Sequence, residues 1–313
     1  MQGMDPPRFI PPDLTLPRAV PVGPPYPATA DWDVNHKYER QQERLHHALD
    51  AVSRRISVNQ STRAARWRAA IDRLSNADKR GVLQAFASSA QAGTLDHPYR
   101  DAFTALTESR TFIEVIEQLI DYLSDTELRE LVRGHPDPSK DNPKTRARNK
   151  EFEWYIAALF RRAGLPVAIA EPDVLIQNNG EVRAIAAKRI FSRNKLKSNV
   201  KGATEQIERA GYTGYIFLEV TKYINPDLLY VDHWRIGGRV IEPKMTGLSR
   251  NSEIAQARSP LVNAVVLRSA FPFISPGFVF GTSERWNVVG TQPQAKDENM
   301  LLLHTLFSGL RGV

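Results

Sequence analysis

Asn179-Gly180 constrains this chain more than any other pair of residues. It stands between two short apolar runs, PDVLI and VRAIAAKRI, in the stretch EPDVLIQNNGEVRAIAAKRI from Glu171 to Ile190. Asn-Gly marks a two-residue hairpin loop, because both central residues must accept positive φ. Such a loop sets the register. Asn178 faces Glu181, Val174 faces Ile185, and Asp173 faces Ala186. Directly paired residues share a sheet face, with Cβ atoms about 4.5–5.5 Å apart. Lys188, two residues on, shares that face, while Ile185 and Ala187 take the other. The predicted result is a triangle of Asp173, Ala186 and Lys188. A three-residue Asn-Asn-Gly loop is the competing register, and it would break the triangle.

The surroundings of the hairpin mix helix and strand. KEFEWYIAALFRRAG is an amphipathic helix stopped by Gly164, and KGATEQIERAG is a short helix. YTGYIFLEVTKY, DLLYVDHWRI, SPLVNAVVLRSAF and GFVFGTSERWNVVG read as strands, and ENMLLLHTLFSGLRG as a closing helix. A helix before the hairpin, with a helix and strand after it, predicts an α/β domain with a mixed central sheet over 150–313.

The first half has a different texture. Residues 1–30 hold nine of the 21 prolines and read as a polyproline arm or a disordered leader. Over 31–135 the apolar spacing is helical, with about five helices starting at DVNHKYERQQERLHHALDAVSRRI, so an all-helical domain is predicted. His46 and His47 are adjacent and so do not share a helix face, which argues against a metal pair. Residues 136–149, with prolines among polar groups, read as a linker. At 313 residues the chain is long enough for two cores.

Several classes are set aside. There is no cysteine, hence no disulfide and no thiolate metal site, which fits a reducing cytoplasmic setting. No apolar run approaches the roughly 20 residues that span a membrane, and there is no secretory leader pattern. The absence of a GxxxxGK[ST] loop argues against ATP hydrolysis, and no GxSxG elbow appears. Net charge is +7, which favours polyanionic partners. That charge is locally dense in KRIFSRNKLKSNVK, where Arg189, Arg193, Lys195, Lys197 and Lys201 follow Lys188 with no acid before Glu205. Such a run suits phosphate contacts, with a solvated loop as the plainer reading.

An acid at position 186 would turn the triangle into two carboxylates and an amine. Two hard oxygen ligands can hold Mg²⁺, and a lysine can stabilise developing negative charge, which together serve phosphodiester hydrolysis. Alanine stands there instead. It is a poor strand former, and the sequence shows no packing reason for it.

Pro172-Asp173 followed by Ala186-Ala187-Lys188 resembles the PD-(D/E)XK, or restriction-endonuclease-like, nuclease superfamily, with the motif acid replaced. Phe152-Glu153 in the preceding helix and Gln206 in the following one resemble the family's further positions. The resemblance covers roughly residues 144–225. It implies a restriction-endonuclease-like fold and a catalytic set of Glu153, Asp173, position 186, Lys188 and Gln206. It further implies Mg²⁺ or Mn²⁺ held by Asp173 and Glu153, double-stranded DNA as substrate, and a setting in bacterial defence. Glu151 could exchange roles with Glu153. Ala186 has three explanations: an inactive variant of a nuclease, a natural binding or scaffold subunit, or an acid that has migrated to Glu153 or Glu219. The helical domain and the arm are the expected sites for a partner protein or a second copy.

Overall fold

The computed structural model describes residues 7–12, 31–92, 99–140, 147–225, 232–233, 237–255, 257, 259–275, 279–290 and 306. In chain order the first half holds β1 (Asp31–Lys37), α1 (Tyr38–Ser53), α2 (Arg63–Ser75), α3 (Lys79–Ala92), α4 (Arg100–Leu119) and α5 (Asp125–Val132). Then come α6 (Ala147–Arg162), β2 (Val167–Ala168), β3 (Val174–Asn178), β4 (Glu181–Arg189), α7 (Leu196–Ala210) and β5 (Gly214–Glu219). The last described elements are α8 (Thr221–Ile224), β6 (Asp232–His233), α9 (Gly237–Ser249), α10 (Ser252–Ala255), β7 (Val262–Ser275) and β8 (Val279–Gly290).

The eight described strands form one mixed sheet, ordered β1-β8-β7-β5-β4-β3-β2, with β6 added on β7. The two ends of the sheet are antiparallel, and its centre, β4-β5-β7, is parallel. Parallel neighbours need a crossover, which α7 supplies between β4 and β5. The central strands alternate between two apolar clusters, one on each face. Ile185, Ala187, Tyr215 and Phe217 face α6 and α4. Ala184, Ala186, Ile216 and Leu218 face α7 and α9. The sheet is thus covered on both sides. Gly214 lets β4 and β5 close up, since a Cβ there would lie 1.8 Å from the Ala184 carbonyl oxygen.

α6 is buried almost all round, because α4 covers the face turned away from the sheet. Its polar residues on that side are paired. Arg63 meets Glu151 at 2.5 Å, and Arg148 meets Glu108 at 2.6 Å. Local signals set other boundaries. Thr62 caps α2, and Ser124 with Glu127 forms a capping box at α5.

The first half departs from expectation in two ways. The helix predicted from Asp33 begins at Tyr38, and Asp31–Lys37 is instead a strand paired antiparallel with β8. The helical segment also shares one apolar cluster with the sheet: Leu45, Trp67, Phe112 and Leu131 belong with Tyr155, Phe217 and Trp286. The described part of the expected linker at 136–140 is packed. Trp67 Nε1 donates to Pro136 O at 3.1 Å, Arg148 Nη2 to His135 O at 2.8 Å, and Lys222 Nζ to Pro138 O at 3.1 Å.

Within the proline-rich arm, Ile10 exchanges two backbone hydrogen bonds with Val167 at the β2 edge, and Arg161 Nε donates to Pro11 O at 3.0 Å. The rest of the arm lies outside the described residues. So do most of DLLYVDHWRI, beyond β6, and the predicted closing helix except Leu306.

Candidate active site

The two-residue register is the one formed. Val174 pairs with Ile185 and Asn178 with Glu181. Asn179 and Gly180 take φ values of 51° and 83°, as a mirror-image turn requires. The ladder ends at Val174–Ile185, and Asp173, one residue earlier, turns its side chain onto β4. Its Oδ2 accepts the Ala187 N–H at 2.8 Å and Lys188 Nζ at 2.7 Å. Asp173 and Lys188 therefore form one unit near the carboxyl end of β4.

Glu153 joins them from α6. It is 8% exposed, and its Oε2 accepts Lys150 Nζ at 2.5 Å. Burial pushes its pKa up, and the negative charge of Asp173 pushes the same way, against Lys150 and Lys188. The pKa of Asp173 is raised too: burial outweighs Lys188, the Ala187 N–H and Lys150. Burial pulls Lys150 down, but Glu153 and Asp173 hold it above the ordinary lysine value. Two carboxylates thus lie within each other's electrostatic reach, each engaged by a lysine. Lys150 and the Ala187 N–H were not among the expected site residues. The i,i+3 spacing of Lys150 and Glu153 was the available signal.

Gln206 ties α7 to this corner, with Nε2 donating to Pro172 O at 3.2 Å. Its Oε1 is buried without a partner among the described residues. Contacting the residue before Asp173, it positions that segment.

The alternative acids are engaged elsewhere. Glu151 accepts from Arg63 and from Thr111 Oγ1 at 2.5 Å, in the layer between α6, α2 and α4. Glu219 follows Tyr215 and Phe217 onto the α6 face, where it accepts Arg189 Nε at 3.2 Å and the Thr221 N–H at 2.9 Å. Glu153 is the acid whose pKa the Asp173 charge raises.

Ala186 is fully buried among Leu175, Ala184, Ile216 and the apolar side of α7. That enclosure is the packing reason for a small residue that the sequence did not show.

The basic run divides. Arg189 turns inward, to Glu219 and to Glu108 at 3.8 Å, and so is withdrawn from the expected phosphate-binding set. Arg193, Lys195, Lys197 and Lys201 are exposed around the start of α7. Lys201 lies 3.7 Å from Glu205, and the Arg193 guanidinium sits 5.8 Å from the Tyr223 ring centre. Cations at a helix N-terminus oppose its dipole, a conflict that a bound anion relieves. Elsewhere, His46 Nε2 lies 2.9 Å from Asp72 Oδ1.

Among the described residues no group of three or more His, Cys, Asp or Glu is arranged to hold a metal. Asp173 and Glu153, which feel each other's charge, would supply two carboxylates, a number that suits Mg²⁺, since that ion takes one or two carboxylates and keeps waters or substrate oxygens. No helix among the described residues is long and apolar enough to cross a membrane. No protein-family model, no curated protein and no solved structure matches this chain.

Proposed function

We propose that this chain is a metal-dependent nuclease of the PD-(D/E)XK type, acting on duplex DNA with Mg²⁺ or Mn²⁺ and lacking one carboxylate of its catalytic set, at Ala186. The observation that carries this reading is the Asp173–Lys188 pair at 2.7 Å, to whose charges the buried Glu153 responds. The order of α6, the β3–β4 hairpin, α7 and parallel β5 supports it as well. By the same resemblance, the setting is bacterial defence against foreign DNA.

The residues divide the work. Asp173 and Glu153 would hold the ion, which when bound supplies Lewis-acid activation of a phosphate and of a water. Lys188 holds Asp173 in place and brings positive charge to where a phosphorane would gather negative charge. Gln206 steadies the Pro172 backbone. Arg193, Lys195, Lys197 and Lys201 would hold the DNA backbone without reading its sequence.

The full enclosure of Ala186 favours a second reading, a non-catalytic DNA-binding or scaffold subunit on the same fold. Ala186→Glu separates the two. The nuclease reading expects Mg²⁺-dependent cleavage of DNA that is lost on chelation and on adding Asp173→Ala or Lys188→Ala. A variant that folds, binds DNA and Mg²⁺, and cuts neither DNA nor RNA leaves the subunit reading standing.

A further inference from the structure

A cleft of about 350 Å³ opens between α2, the start of α4 and the segment 135–140. That size falls within the usual range for small-molecule sites. Arg66, Arg73 and Lys140 line it, and none has a carboxylate partner among the described residues. Most other arginines flanking this layer are paired: Arg44, Arg55, Arg63, Arg110, Arg148 and Arg162 each meet an acid. Two acids also line the cleft, Asp101 and Asp137, so three cations against two acids leave it net positive. α4 begins at its wall, with Asp101 in its first turn. The positive end of this 20-residue helix, balanced in part by Asp101, lies on the same side as the cations.

We propose that this cleft binds a nucleoside phosphate. Arg66, Arg73 and Lys140 would take the phosphates, because charge-assisted bonds to phosphate are the strongest such a lining offers. Asp101 would accept from ribose hydroxyls, the role a carboxylate plays in dinucleotide sites. Ala69, Ala70 and Pro136 give the base an apolar surface. The concave shape favours a small ligand over a DNA backbone, which needs an open track.

The cleft is also joined to the candidate active site. Arg148 donates to His135 O and Pro136 O on the cleft wall, and its Nε donates to Glu108 at 2.6 Å. Glu108 lies 3.8 Å from Arg189, the residue after Lys188. A ligand that tightens the segment 135–140 therefore tightens the end of β4, through a continuous chain of interactions. Nucleotide binding here stands apart from the nuclease reading, because neither its geometry nor its test needs catalysis.

The test uses the full chain, titrated with ADP, GDP, adenosine, pyrophosphate and a short DNA duplex by calorimetry, with amide exchange of β4 in parallel. ADP or GDP should bind, and adenosine should bind at least tenfold more weakly. The Arg66→Ala/Arg73→Ala double variant, at exposed positions that leave the fold intact by circular dichroism, should lose about tenfold or more in affinity. Asp101→Asn should weaken ADP and leave pyrophosphate unchanged. Amides 187–190 should exchange more slowly with nucleotide bound. The proposal is overturned if neither nucleotide binds at millimolar concentration, if the double variant binds as the parent does, or if the duplex alone loses affinity in that variant. Nucleotide binding with unchanged exchange in β4 would overturn the link to the active site.

Discussion

Lys188 Nζ lies 2.7 Å from Asp173 Oδ2, and the same oxygen accepts the Ala187 N–H at 2.8 Å. One carboxylate oxygen thus serves both a strand backbone and the lysine that strand carries. A close cation ordinarily lowers a carboxylate pKa. Here burial is the larger effect, and Asp173 is raised. A corner that burdens two acids in this way is stabilised by whatever neutralises them, a proton or a cation.

The pH dependence follows from that. Asp173 and Glu153 both titrate higher in the fold than in the unfolded chain, where Asp and Glu sit near about 3.9 and 4.3. Between the unfolded and folded values the native state holds more protons, so this contribution falls as pH rises through that window. Glu153→Gln removes its share. The melting temperature of the variant should therefore gain on the parent's as pH goes from about 4 to 7. A constant difference across that range would show that Glu153 is not burdened.

Glu114 carries the opposite sign. Burial pushes its pKa up, but Arg110, Arg162 and Arg44 together hold it well below the usual carboxylate range. Arg110 bonds it at 2.7 Å and Arg162 at 2.8 Å. This stability is present above the unfolded pKa and is lost as pH falls through the folded one. Glu114→Gln leaves buried guanidinium charge uncompensated and should cost about 3–5 kcal/mol. Urea unfolding of parent and variant measures it, and a loss below about 1 kcal/mol would contradict the role given to this network.

Arg193, Lys195 and Lys197 are exposed, whereas Arg189 is paired inward. Replacing the first three together by alanine should weaken duplex binding several-fold. The slope of log K against log salt should flatten by about 0.9 for each phosphate that the variant leaves unneutralised. Arg189→Ala should instead lower stability and leave that slope unchanged. If the triple variant keeps the parental slope, these residues are solvated surface.

How much of this could be read in advance depends on range. The hairpin register was legible because Asn179-Gly180 sets it within two residues. α6, α7 and the long strands β7 and β8 were legible from local periodicity. The strand Asp31–Lys37 was not, because its partner β8 lies about 250 residues on, and no local pattern announces it. Glu151 and Glu153 could not be told apart in sequence. Two residues along a helix separate their directions by about 200°, and only packing shows which one meets Asp173. Arg189 belongs in sequence to the basic run that suits phosphate contacts, although strand alternation sets it on the face of Ala187 rather than Lys188. Composition changes near residue 136, which is the sequence signal for a boundary, and one apolar cluster holds residues from both sides of it.

Ala186 is where packing and chemistry oppose each other. It is fully buried in the cluster that faces α7. A glutamate there must displace neighbours, and overpacking alone costs about 1–3 kcal/mol. It also adds a carboxylate two residues before Lys188 on the same strand, where Asp173 already bears a raised pKa. Without divalent metal, Ala186→Glu should therefore melt below the parent. With Mg²⁺ the added ligand should reverse the order of the effects: ion bound at about 100 times its Kd returns about 2.7 kcal/mol, enough to offset the packing cost. The parent, with two carboxylates, should respond less to the same concentration. Melting curves of both proteins in chelator and in Mg²⁺ make the comparison. Equal Mg²⁺ responses would mean that position 186 does not reach the ion, and the missing-acid reading of this corner would fail with it.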